Sequence, residues 1–253
     1  MRVFALSDIH VDYDSNARWV ENLSTVEYRD DVLILAGDVS DQLSTLSWCL
    51  HQFARCFGQV LFVPGNHDLW VLRDTPGKTS FDKFREVAVV AEDAGVSMQP
   101  FRRDLLYIVP LFSWYDYTFG TPSDTLRAAW MDFVACRWPD GFHAQEISLH
   151  FGALNQTWVP EGIERVVTFS HFVPRIDLLP SSLPAEHRML FPVLGSTHID
   201  TQLRRLKSQM HVYGHSHINR QRLIDGVIYI NNAFGYPHED RITAKRLTAI
   251  LDG

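Results

Sequence analysis

The sequence has few of the features that would assign it to a class at once. Its 253 residues include only three cysteines, Cys49, Cys56 and Cys136, and these form no Cys-x-x-Cys pair. An odd count argues against a disulfide framework, so free thiols in a reducing compartment are the simpler interpretation. No apolar run approaches the roughly 20 residues of a membrane-spanning helix. Internal repeats, linkers and low-complexity segments are also lacking, so we expect a single domain over residues 1–253.

Positive charge is scarce as well. The chain has 23 Lys and Arg against 30 Asp and Glu, a net charge of −7, and no basic run or stripe. This argues against a nucleic-acid partner and means that an anionic ligand must be attracted by something other than surface charge. Met1-Arg2 leads directly into an apolar strand, without the basic and apolar regions of a signal peptide. We therefore expect a soluble, cytoplasmic protein that does not interact with membranes.

Short apolar strands alternate with segments of helical periodicity along the first part of the chain. This order is typical of parallel βαβ units. Further strands are predicted near residues 96–100, 105–111, 165–169 and 211–213, followed by a tail of alternating residues that predicts antiparallel hairpin strands at 222–224, 227–231 and 246–251. The first strands are predicted at 3–6, 31–36 and 60–63, and helices at 15–26, 43–57, 81–94, 123–136, 144–159 and 199–208.

Polar residues that can bind metals follow five of these strands. Because the carboxyl ends of parallel strands meet at one edge of a sheet, we expect these residues to lie together. In an extended chain residues i and i+2 face the same way, which predicts that each Asp/His-x-His pair presents two side chains to one point. Any single motif could be a helix cap or a chance pair. As a set they can supply the ligands for two divalent ions: Asp8 and His10; Asp38; Asn66, His67 and Asp68; His171; His215 and His217.

These blocks resemble those of the calcineurin-like metallophosphoesterases, which read Asp-x-His, Gly-Asp, Gly-Asn-His-Asp/Glu, a single His and Gly-His-x-His. The resemblance implies a four-layer α/β/β/α sandwich with mixed sheets and two divalent metal ions at one edge. The native ions would be Mn²⁺, Fe or Zn²⁺, since the ligands are nitrogen and oxygen without thiolate. By the same resemblance one ion is held by Asp8, His10, Asp38 and His217, and the other by Asp38, Asn66, His171 and His215, with Asp38 bridging.

The resemblance also implies a chemistry. A bridging hydroxide would attack the phosphorus of a phosphomonoester or phosphodiester, and His67 would protonate the leaving oxygen or stabilise the transition state while Asp68 orients its ring. The alternative for His67 is a purely structural hydrogen bond. A small phosphate ester or nucleotide is the favoured substrate. The remaining alternatives are a catalytically weak scaffold that binds proteins, a protein phosphatase, and a nuclease of the same family.

Two aromatic features remain open from the sequence. Trp114, Tyr115 and Tyr117 follow a predicted strand and either form a wall of the substrate pocket or pack in the core. Tyr236, after the last core strand, either lines the pocket or packs against the fold.

Overall fold

The strands at the start of the chain are apolar on both faces, as expected for a parallel sheet that is covered on both sides. In the computed structural model, which describes residues 1–252, the strands β1 (Val3–Leu6), β2 (Val32–Ala36) and β3 (Gln59–Val63) are almost entirely buried. They pair in parallel, and a fourth strand at the C-terminus joins antiparallel to β1. This gives a four-stranded sheet.

The middle of the chain builds a second, six-stranded sheet. Its four inner strands are parallel, and an antiparallel strand closes each edge. In spatial order the sheet runs β4-β5-β6-β7-β9-β8, and the strands of the chain after β3 are β4 (Phe101–Arg103), β5 (Leu106–Pro110), β6 (Arg165–Phe169), β7 (Met210–Tyr213), β8 (Arg220–Ile224), β9 (Val227–Asn231) and β10 (Thr248–Leu251).

The two sheets pack face to face, and helices cover both outer faces. Side chains such as Ile34 and Leu61 from the first sheet meet Val167 and Val212 from the second in one apolar layer. The predicted four-layer α/β/β/α sandwich is confirmed. Three helices pack on the first sheet, α1 (Asp14–Glu21), α2 (Leu43–Cys56) and α3 (Ser80–Asp93), and the others accompany the second sheet: α4 (Asp124–Ala129), α5 (Asp132–Ala135), α6 (Ala144–Ala153), α7 (Ala185–Arg188) and α8 (Thr197–Arg205).

Several predicted elements differ in the structure. Residues 96–100 do not form the predicted strand and contribute only an isolated bridge between Ser97 and Leu61. The next regular strand is β4, which pairs with β5. The helix predicted over 123–136 is broken between α4 and α5, where Trp130 has an extended backbone. The helices predicted over 15–26 and 144–159 end early, at Glu21 and Ala153. Finally, β8 and β9 form the expected hairpin, but β10 crosses to the first sheet.

The three cysteines are free thiols. Among residues 1–252, no helix has both the length and the apolar composition required to cross a membrane.

Candidate metal centre

The loops after β1, β2, β3, β6 and β7 meet at one edge of the sandwich. Backbone hydrogen bonds join them: the amides of Asp8 and His10 donate to the carbonyls of Gly37 and Asp38 at 2.9 and 3.0 Å, and the amide of Gly214 donates to the carbonyl of His171 at 2.8 Å. All the site residues predicted from the sequence therefore lie together, although five separate loops supply them.

The backbone of these loops is left-handed at the residues that carry the chemistry. Non-glycine residues rarely adopt positive φ, and such conformations concentrate at functional sites. This corrects the expectation that the two His-x-His-type pairs are extended: His215 and His217 point into different clusters. Positive φ angles occur at Asp8 (52°), His10 (42°), Asp38 (57°), His215 (65°) and His217 (51°).

Glycine at position 65 lets two loops approach each other closely. A Cβ atom added to Gly65 would lie 2.1 Å from Asp38 Oδ1 and 2.7 Å from the Asp38 amide nitrogen. Both contacts are too short for any side chain, so only glycine allows the loop after β3 to pass beside the Asp38 carboxylate.

Asp8, His10 and His217 form the first cluster of potential metal ligands. His217 Nε2 lies 3.3 Å from both Asp8 Oδ1 and His10 Nε2. The other ring nitrogen of His217 donates to Glu239 Oε2 at 2.6 Å, which fixes the ring so that Nε2 faces the cluster.

Asp38, His171 and His215 form the second cluster, together with the amide oxygen of Asn66. His171 donates from Nδ1 to the carbonyl of Ala36 at 2.9 Å, and His215 donates from Nε2 to the carbonyl of Val193 at 3.0 Å. Their remaining nitrogens, which carry lone pairs, lie 3.1 Å apart. His171 Nε2 is also 3.1 Å from Asn66 Oδ1 and 3.5 Å from Asp38 Oδ1.

These arrangements fit a bound cation. In the second cluster two imidazole nitrogens, an amide oxygen and a carboxylate oxygen converge, and a positive ion between them makes this contact favourable. Burial lowers the pKa of His10, His171 and His215, so each offers a neutral ring. At His217, burial also lowers the pKa, but Asp8 and Glu239 outweigh it and raise the pKa to about 10. The first cluster therefore favours a positive charge too.

Asp38 lies between the clusters. Its Oδ1 faces His171 at 3.5 Å, whereas its Oδ2 lies 3.9 Å from His10 Nε2. Burial raises the pKa of Asp38 well above its ordinary value, and the nearby carboxylate of Asp8 adds to the shift. A carboxylate with one oxygen toward each cluster has the geometry needed to bridge two ions.

His67 lies at the mouth of the site. Its Nε2 is 3.9 Å from Asp38 Oδ2, and its side chain is 21% exposed, against 1 or 2% for His171 and His10. Its ring stacks on Trp70 with the ring centres 3.7 Å apart. The position is open enough to reach a bound substrate.

The structure shows no hydrogen bond between Asp68 and the His67 ring among residues 1–252. The Asp68 carboxylate accepts four backbone N–H groups, from Asp38, Val39, Ser40 and Gly65, at 2.8 to 3.0 Å. Within residues 1–252, Trp70 rather than Asp68 supports the ring. Through these hydrogen bonds Asp68 links the loop after β2 to the loop after β3.

Sequence reasoning missed two carboxylates that position predicted ligands. Glu239 holds His217, and Asp132 accepts a hydrogen bond from Asn66 Nδ2 at 2.8 Å. Asp132 also accepts from the indoles of Trp70 and Trp130. Both acids come from irregular or short segments far along the chain, so no local spacing identified them.

The aromatic residues have mixed roles. Trp114 and Tyr115 are buried in the core on the helix side of the second sheet, and with Tyr117 and Arg127 they also line a cavity of about 340 Å³. Tyr236 stacks on the ring of His10, with the centres 4.5 Å apart, and so borders the first cluster.

A two-sheet α/β sandwich with paired clusters of His and Asp at one edge defines a metal-dependent hydrolase. A family model of calcineurin-like phosphoesterases matches residues 1–219. The chain therefore belongs to the calcineurin-like phosphoesterase family, as the sequence motifs predicted, and is a hydrolase of phosphoric esters. Members of this family use divalent metals, which agrees with the clusters described above.

One relative is similar along nearly the whole chain. This is the acyl-carrier-protein phosphodiesterase PptH of Mycobacterium tuberculosis (strain ATCC 25618 / H37Rv), 27% identical over 263 residues that cover 94% of this chain and 79% of the relative. The crystal structure of the phosphopantetheinyl hydrolase PptH from Mycobacterium tuberculosis superposes with a TM-score of 0.77 at 25% identity, covering 100% of this chain and 96% of that chain.

Proposed function

We propose that this chain hydrolyses the phosphodiester that joins a phosphopantetheinyl group to an acyl carrier protein. The observation that carries the proposal is the likeness to PptH, a phosphodiesterase by name, over 94% of this sequence and all of its fold. This likeness narrows the proposed substrate class from small monoesters or diesters to a diester attached to a protein. A cytoplasmic location is part of the proposal and agrees with the three free thiols.

The proposed metal sites follow the two clusters. When bound, the ions supply positive charge that polarises the phosphoryl group and lowers the pKa of the attacking water. The nitrogen and oxygen donors suit Mn²⁺, Fe or Zn²⁺. We assign Asp8, His10, Asp38 and His217 to one ion, and Asp38, Asn66, His171 and His215 to a second.

His67 is the proposed proton donor to the leaving oxygen. Its exposed position at the mouth supports this assignment, and Trp70 holds its ring in place. Burial and the neighbouring imidazoles lower the pKa of His67 to about 3 in the free protein. The negative charge of a phosphoryl group beside the ring favours its protonated form.

The test is hydrolysis of three substrates by the purified protein loaded with Mn²⁺: phosphopantetheinylated acyl carrier protein, bis-p-nitrophenyl phosphate and p-nitrophenyl phosphate. We expect loss of the phosphopantetheinyl mass from the carrier and preference for the diester over the monoester. Asp38→Ala, which removes the bridging carboxylate, is the inactive control. Hydrolysis of the small diester with an unchanged carrier would refute the carrier substrate, and no hydrolysis of any ester would refute the phosphodiesterase assignment itself.

A further inference from the structure

A groove beside the metal centre is lined by arginines. It lies between the edge strand β8 and the segment 176–191 and has a volume of about 520 Å³. Arg188, Arg220 and Arg222 line it together with Leu179 and Phe191. We refer to this feature as the arginine groove.

The fold directs two of these arginines to the same side. Arg220 and Arg222 are two residues apart on β8, and alternate residues of a strand face the same side of the sheet. β8 is an edge strand of the six-stranded sheet, and Arg222 on it is solvent-exposed.

The positive charge of the groove is not neutralised by the protein. Arg188, Arg220 and Arg222 make no ion pair within residues 1–252: Arg220 donates to the carbonyl of Leu178, and Arg188 donates to backbone carbonyls of its own segment. The one acid that lines the groove, Asp177, is already paired with Arg175 at 2.7 Å. A chain with a net charge of −7 thus has three arginines in this groove that make no carboxylate ion pair among the described residues.

Both sides of the groove are formed by residues that are close in sequence to residues of the metal centre. Arg220 follows His217 by three residues, so their Cα atoms are at most about 11 Å apart. On the other wall, Phe191 precedes by two residues Val193, whose carbonyl accepts the hydrogen bond from His215. Whatever occupies the groove therefore lies close to a substrate bound at the metals.

We propose that the arginine groove binds an acidic face of the protein that carries the scissile diester. This inference rests on the proposed function and names the surface that recognises the carrier. Guanidinium groups pair with carboxylates in two-pronged contacts, and Arg188 and Arg222 are solvent-exposed. An open surface of this kind suits the side of a folded partner better than a small anion, which would require an enclosing pocket.

The test compares Arg222→Glu, alone and combined with Arg188→Glu, with the unchanged protein. Neither residue contacts the metal clusters. For the double variant we expect kcat/KM on phosphopantetheinylated acyl carrier protein to fall at least about tenfold, mainly through KM, because like charges now face each other. Hydrolysis of bis-p-nitrophenyl phosphate stays the same, and the salt dependence of carrier cleavage becomes shallower.

Arg103→Glu is the matched control. Arg103 is exposed on β4, at the opposite edge of the same sheet, and the substitution changes the net charge as much as Arg222→Glu does. Adding Arg102→Glu, also exposed on β4, matches the net charge of the double variant. It should leave carrier cleavage unchanged. An equal loss with Arg103→Glu would attribute the effect to net charge and refute the groove.

Binding of fluorescently labelled carrier, measured by polarisation, separates the groove from the proposed function. If the Arg222 variants cleave the carrier as fast as the unchanged protein, the groove is not the carrier-binding surface, and the proposed phosphodiesterase function is unaffected. If the unchanged protein cleaves no carrier but binds it, and the double variant does not, the groove is supported while the function fails. Absence of binding to the unchanged protein, or an equal loss of bis-p-nitrophenyl phosphate hydrolysis in the variants, refutes the groove as a carrier surface.

Discussion

Asp132 accepts a hydrogen bond from Asn66 Nδ2 at 2.8 Å and thereby determines which end of the Asn66 amide faces the second cluster. The indole N–H groups of Trp70 and Trp130 also donate to this buried carboxylate, at 2.7 and 2.8 Å. If the amide of Asn66 turned over, its oxygen would meet the carboxylate. Asp132 therefore keeps that oxygen directed at His171, and through Trp70 it also supports the ring of His67.

Asp132→Asn should weaken metal binding at the second cluster. The new amide can place its own NH₂ against Asn66, which removes the constraint on the Asn66 oxygen. Loss of such an outer contact typically lowers metal affinity 10- to 100-fold. With the two ions proposed above, we therefore expect the variant to keep about one tightly bound ion per chain. Calorimetric titration with Mn²⁺ measures this. Asp116→Asn is the control, since Asp116 is equally buried but bonds to Thr118 and Ser196.

Glu239→Gln should weaken the first cluster instead. Glu239 accepts the Nδ1–H of His217 at 2.6 Å, and a neutral amide in its place makes the imidazole a poorer ligand. The same titration should show an affinity loss of about tenfold or more at one site. Asp240→Asn removes the same charge from an exposed neighbour and should change nothing. Unaltered affinity in Glu239→Gln would show that Asp8 and His10 hold the ion without this support.

The metal content of two variants distinguishes the roles proposed for Asp38 and His67. Asp38→Ala should lose metal and activity together, because this carboxylate lies between the two clusters, with one oxygen toward His171 and the other toward His10. His67→Ala should retain metal, since only the ring is lost and the amide of residue 67 still donates to Asp38 Oδ1. Its turnover should fall about 10²- to 10⁴-fold on an alkyl diester and much less on a nitrophenyl ester, whose leaving group needs no proton. Full turnover of the alkyl diester would mean that His67 is not the acid.

The parts of the site that the sequence predicted are those encoded locally. An apolar strand such as Val32–Ala36 is recognisable from its composition, and Asp38, two residues beyond its end, is then placed at the sheet edge by the parallel topology. The motif residues follow the same logic, and so all of them were found. The crossing of β10 to pair with β1 was not predictable, because antiparallel partners are selected by tertiary packing rather than by the strand's own pattern.

The supporting contacts were not predictable for a related reason. Asp132 is 66 positions from Asn66, and Glu239 is 22 positions from His217. Neither lies in a motif, and a buried carboxylate in a short helix has the same local sequence as an exposed one. The left-handed backbone at Asp8 and His10 was also missed. Asp and His adopt positive φ more often than most non-glycine residues, but still too rarely for the sequence alone to predict it.

Asp68→Asn should affect stability rather than the chemistry of the leaving group. Each carboxylate oxygen of Asp68 accepts two backbone N–H groups, and an amide replaces one of these acceptors by a donor that faces other donors. We expect a loss of about 2 to 4 kcal/mol in the free energy of unfolding, together with weaker metal binding. Urea denaturation measures the loss. If Asp68 oriented His67, the variant would instead keep its stability and lose turnover only on esters with poor leaving groups.

His211 should make the protein less stable in mild acid. The ring is buried between the hydroxyls of Thr168 and Ser170, at 2.8 and 3.0 Å, and burial lowers its pKa to about 3. In the unfolded chain the pKa is about 6.5, so the unfolded state binds the proton first and stability falls as the pH drops below that value. Between pH 7 and 5 this one group accounts for about 2 kcal/mol.

His211→Gln removes the titrating ring while it keeps an amide that can hydrogen bond to the two hydroxyls. Measured by urea denaturation in EDTA, the variant should lose about 2 kcal/mol less than the unchanged protein between pH 7 and 5, although it is less stable at pH 7 because the ring is no longer packed. The comparison cancels the other histidines, since both proteins contain them. Parallel loss of stability in the two proteins would show that His211 takes up its proton in the folded state as readily as in the unfolded one.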